Sequence, residues 1–85
     1  MEIIYTQEAP RDLENWKKTG EKKIKDKIQL LIASIETDPY KGIGKPEPLK
    51  HDLSGKWSRR ISRSDRIVYE VVGEIIYIHS LKGHY

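Results

Sequence analysis

Glu47 lies in the run GKPEPLKHDLSGKWSRRISRSDRIVY, residues 44–69, together with Lys50, Arg59, Arg60 and Arg66, and the last two residues of the chain are His84 and Tyr85. A carboxylate, several cationic side chains and an imidazole are what RNA cleavage without a metal requires, because the 2′-hydroxyl of the RNA itself attacks the neighbouring phosphorus. The protein then has to supply a base for the 2′ proton, an acid for the departing 5′ oxygen, and positive charge for the phosphorane. Glu47 suits the first task and a protonated His84 the second. Arg66, Arg60 and Lys50 suit the third, since a planar guanidinium grips two phosphate oxygens at once. The products would be a 2′,3′-cyclic phosphate and a 5′-hydroxyl end. A carboxylate ringed by cations is a weak base, so charge stabilisation by the arginines is expected to contribute at least as much as proton removal by Glu47.

Each residue also has an ordinary structural reading. Glu47 can serve as a surface partner of Lys45 or Lys50, and strand cations commonly form solvated edges that discourage sheet-to-sheet aggregation. His51 and His79 read as structural or incidental, and the three histidines lack metal-ligand spacing, so no metal and no cofactor is expected. Trp57 and Tyr69 read as core residues. Tyr77 reads as a half-buried strand residue with base stacking as the alternative, and a His-Tyr terminus is ordinarily a frayed end.

The elements that must position these groups follow from spacing. Glu2 to Tyr5, EIIY, is short and β-branched and reads as a strand. A helix follows, with Thr6 offered as its N-cap, regular turns beginning about Pro10, and Gly20 as its end. From Glu21 to Asp38, Ile24, Ile28, Leu31, Ile32 and Ile35 recur at three- and four-residue intervals and predict an amphipathic helix stopped by Asp38-Pro39. Tyr40 to Gly55 reads as an ordered loop in which Pro46 and Pro48 stiffen the backbone on either side of Glu47. Lys56–Ser62, Arg66–Val72 and Glu74–Leu81 then read as an antiparallel meander.

Two helices before three hairpin-linked strands predict an α+β fold, with both helices on one face of a twisted, mainly antiparallel sheet and the other face open. The strand period separates Trp57, Arg59 and Ile61 from Ser58, Arg60 and Ser62. With Ile61 facing the helices, Arg60 belongs to the open face. Arg59 falls to a sheet margin or a supporting role, although both arginines count as phosphate-binding candidates.

Composition narrows the class. The 85 residues make a single domain spanning 1–85, too small for a second core. No Cys is present, which removes disulfides and thiolate chemistry and fits a reducing cytoplasm. Neither a signal-peptide pattern nor a membrane-spanning apolar run is expected. Sixteen Lys and Arg against thirteen Asp and Glu give a net charge of +3, a bias suited to a polyanion or an acidic partner. Charge alone would also suit a non-catalytic nucleic-acid-binding module.

The run KPEPLKHDLSGKWSRRI, a basic residue before IVYEV, and the terminal His-Tyr resemble the YoeB/Txe branch of the RelE toxin superfamily, with similarity along the whole chain. The resemblance implies a RelE-like microbial ribonuclease fold and the toxin of a type II toxin–antitoxin system, which enters the ribosomal A site and cuts mRNA there. It implies Glu47 as general base, His84 as general acid and Arg66 as transition-state stabiliser. Lys50 and Arg60 would place the phosphate, and Tyr85 would orient or stack on the RNA. It also implies a YefM/Axe-like antitoxin, a homodimer, and contact with operator DNA only through the antitoxin complex, so that an antitoxin-dependent co-repressor is a further reading. An acidic antitoxin segment is expected to cover the open sheet face. Lys56 before Trp57 and Leu81-Lys82-Gly83 before the terminal pair depart from the family pattern, and Gly83 is expected to loosen the tail.

Overall fold

A computed structural model describes residues 1–83, so the expectations for His84 and Tyr85 lie outside the described residues. The elements are β1 (Glu2–Tyr5), α1 (Ala9–Thr19), α2 (Lys22–Thr37), β2 (Glu47–Pro48), a short 3-10 turn (His51–Leu53), β3 (Trp57–Arg60), β4 (Arg66–Val72) and β5 (Ile75–Ser80). Gly20 ends α1 in the left-handed region at φ 70°, a conformation that costs glycine little. Asp38 ends α2 in an extended conformation, as its position before Pro39 requires. Thr6 does not cap α1. The N-cap is Glu8, and the Thr6 hydroxyl instead meets His79 Nδ1 at 2.5 Å.

The sheet has five strands in the order β1-β5-β4-β3-β2. β1 runs parallel to β5, while β5, β4, β3 and β2 are antiparallel neighbours. The fifth strand, β2, falls inside the segment expected to be loop. Two residues flanked by prolines carry no alternation to read, and Pro48 is tolerated because β2 is an edge.

Both helices pack on one face of this sheet. Ala9 and Trp16 of α1 and Ile28, Leu31 and Ile35 of α2 meet Ile61, Ile67, Tyr69, Ile76, Ile78 and Leu81 in one buried cluster. Each large apolar side chain removed from water contributes about 1.5–3 kcal/mol. Asp12 is buried beside this core, where its carboxylate accepts the Leu81 N–H at 2.9 Å and offsets part of its desolvation, while Trp16 Nε1 donates to the Leu81 carbonyl at 2.8 Å. Among the described residues no helix is long and apolar enough to cross a membrane.

Candidate functional site

The sheet face turned away from the helices carries Glu47 on β2, Ser58 and Arg60 on β3, and Arg66 on β4. Residues directly opposite each other across strands share a face, and the register sets Glu47 against Ser58 and Arg60 against Arg66. Arg66 is the best-held member of the set. Its Nη1 donates to the buried Ser58 Oγ at 2.9 Å and lies 3.8 Å from Glu47 Oε1. The Arg66 side chain is 15% exposed and that of Glu47 55%. So open a carboxylate gains at most about 1 kcal/mol from the pair, which leaves it oriented but not locked. Arg60 is exposed and faces Arg66 across the strands, a like-charge juxtaposition that costs stability unless an anion sits between.

Arg59, a phosphate-binding candidate, is corrected by its surroundings. It is fully buried on the helix side, as its parity with Ile61 requires, and its guanidinium is occupied by protein acceptors. Nε donates to the Tyr69 hydroxyl at 3.1 Å. Nη1 donates to Ser34 Oγ at 2.6 Å and the Ile43 carbonyl at 3.2 Å, and Nη2 to the carbonyls of Asp38 at 2.6 Å and Lys41 at 3.0 Å. Tyr69 in turn donates to the Pro39 carbonyl at 2.6 Å. Burial pushes the Tyr69 hydroxyl above its ordinary pKa, against a smaller lowering by Arg59, so it stays protonated and available as that donor. Arg59 thus pins the segment 38–43 that leads into β2, and its relation to Glu47 is one of support.

Gly44 continues this support. At φ 82° its Cα lies so close to its neighbours that an added Cβ would come 2.6 Å from Leu31 Cδ2 and 3.2 Å from the Arg60 carbonyl, and its own carbonyl accepts the Arg60 N–H at 2.6 Å. Gly44→Ala is expected to destabilise the fold by roughly 1–3 kcal/mol, through torsional strain and the clash together. A urea midpoint unchanged from the parent protein would contradict this account.

The remaining candidates are placed as follows. Lys50 is exposed on the turn after β2, and its side chain makes no hydrogen bond or ion pair among the described residues. His79 is buried and held between Thr6 and Glu70, with Nε2 3.0 Å from Glu70 Oε1 and its ring stacked parallel to Tyr77. Gly83 is not loose. Its N–H donates to Asp65 Oδ1 at 2.9 Å and its carbonyl accepts the Arg66 N–H at 2.9 Å. Ser58 is a site residue that its type does not advertise in the sequence, although the alternation that groups it with Arg60 puts it on the open face.

Over residues 5–85 the chain matches the family described as YoeB-like toxin of bacterial type II toxin–antitoxin system. It is 44% identical to Toxin YoeB of Streptomyces coelicolor, with all of both chains covered. The YoeB dimer structure from Staphylococcus aureus superposes with a TM-score of 0.89 at 40% identity, covering 100% of this chain and 98% of that one. The toxin in the heterotetrameric YoeB–YefM complex from the same organism superposes with a TM-score of 0.87 at the same identity and coverage. A family match over nearly the whole length, full-length identity well above the level at which folds diverge, and the same helices on the same sheet place this chain in the YoeB-like family of bacterial type II toxins.

Proposed function

We propose that this protein is a metal-independent endoribonuclease that cuts mRNA in the ribosomal A site and so stops translation. The observation that carries the reading is the Glu47–Arg66–Ser58 arrangement facing Arg60, one carboxylate among guanidiniums on an open sheet face. Glu47 takes the 2′-hydroxyl proton, Arg66 and Arg60 stabilise the phosphorane, His84 protonates the 5′ oxygen, Lys50 helps place the phosphate, and Tyr85 orients the RNA. The scaffold supports these roles by fixing Arg66 through Ser58 and by holding Gly83, the residue before His84, against the first residue of β4.

The partners proposed are a YefM-like antitoxin that covers the open face, a second copy of the chain, and operator DNA reached only through the antitoxin complex, all in the cytoplasm. The known S. aureus dimer and its YefM complex support the first two. Expression in a bacterial host with mapped mRNA 5′ ends tests the reading. New 5′-hydroxyl ends near initiation codons, insensitive to EDTA as long as the ribosomes stay intact, and relief by co-expressing the operon neighbour are the expected results. Continued translation without new ends would leave only nucleic-acid binding or co-repression.

A further inference from the structure

Beside the Glu47–Arg66 face opens a cleft of about 630 Å³ whose charged lining is Lys27 of α2, Lys45 before β2, and Arg60 and Arg63 at the β3–β4 turn. All four are cations, and no carboxylate lines the cleft among the described residues. Nor does any of the four side chains make an ion pair or a hydrogen bond among those residues. Gathering four unneutralised cations around one depression opposes folding. The backbone that gathers them is also strained, since Lys45 sits at φ 54°, a region side-chain-bearing residues seldom adopt. Gly44, seated against Leu31 and bonded to Arg60, keeps that turn from relaxing.

Arg60 belongs to both places. It faces Arg66 across the strands and also lines the cleft, so an occupant that satisfies both must carry anionic groups in succession. A nucleotide strand carries such a succession and a lone phosphate does not. Among the lining side chains only Ile61 is apolar, which gives a peptide little to anchor on.

We propose that this cleft is a second phosphate subsite that takes a backbone phosphate of the substrate RNA strand, next to the phosphate that is cut. The inference rests on the ribonuclease reading and adds a binding site to it. A cation outside the reacting centre strengthens binding of the strand to enzyme and transition state alike, so its removal raises KM and spares the chemical step.

The test compares the parent protein with Lys45→Gln, Arg63→Gln and the double variant, using a fully 2′-O-methylated RNA hexamer, which cannot be cut by its own 2′-hydroxyl. The expected result is weaker binding, equal across sequences, with the slope of log affinity against log salt reduced by roughly 0.7 for each phosphate that is no longer neutralised. Lys45→Arg and Arg63→Lys should restore most of the affinity, which a folding defect would not allow. Unchanged affinity and slope overturn the proposal, as does weakening confined to the binding of an acidic peptide. Cleavage by Glu47→Gln, measured in parallel, separates the two ideas. If neither the parent nor that variant cuts ribosome-bound mRNA, the ribonuclease reading fails; if the parent cuts, the variant is inert and the salt slope stays fixed, only the subsite fails.

Discussion

Glu47→Gln is expected to slow single-turnover cleavage of ribosome-bound mRNA by roughly 10²–10⁴-fold, and Arg66→Ala by a comparable factor, the range for a positioned base or charge stabiliser. Glutamine keeps the shape of the side chain and removes the proton acceptor. Because Glu47 is more than half exposed and its pair with Arg66 is weak, the fold should barely register the change. Arg66→Ala differs in also leaving Ser58 Oγ buried without its partner, so a small drop in stability should accompany the drop in rate. His84→Gln should fall in the same range, and the rate should decline as rising pH strips the histidine of the proton the acid needs. A Glu47→Gln enzyme within tenfold of the parent would remove Glu47 as the base and leave electrostatics alone to explain catalysis.

Arg59→Met should cost about 3–5 kcal/mol of folding stability, a large share of the 5–15 kcal/mol typical of a domain, and should do so without Arg59 ever touching RNA. Methionine fills much of the volume but donates nothing. The carbonyls of Asp38, Lys41 and Ile43 and the hydroxyl of Ser34 would be deprived of their donor together. Denaturant titration measures the effect. A destabilisation under about 1 kcal/mol would mean that water replaces the guanidinium freely and that segment 38–43 does not depend on it. Since that segment leads into β2, the surviving folded protein should also cut more slowly than its stability alone explains.

The helices and the three-strand meander are legible in the sequence because they rest on periodicity, and 3.6- and 2-residue spacing separates helix from strand wherever the apolar stripe is long. Strand parity also separates the two arginines. It sends Arg60 to the open face and Arg59 away from it, in agreement with their burial. What the chain does not disclose depends on long-range pairing. Nothing in residues 2–5 shows that β1 lies parallel beside β5, and Glu47-Pro48 becomes a strand only because β3 is there to pair with it. Thr6 resembles a cap because the local rule knows nothing of His79, far away in sequence and adjacent in space. The bonds that hold Gly83 are hidden for the same reason, since Asp65 and Arg66 reach it from another turn.

The parallel pairing of Glu2–Tyr5 with Ile75–Ile78 joins the two ends of the chain, and it bears on when the molecule becomes whole. Synthesis runs from the N-terminus, so both helices leave the ribosome with their apolar stripes facing no partner, and helices of this length are marginal alone. The strands that cover those stripes are made last, and β1 finds its neighbour only after β5 is complete. A nascent chain therefore has no complete sheet and no settled core until β5 has emerged, and closure between such distant segments is slow compared with hairpin formation. The topology itself delays the product, because β1 and both helices wait for β5 before the sheet closes over them.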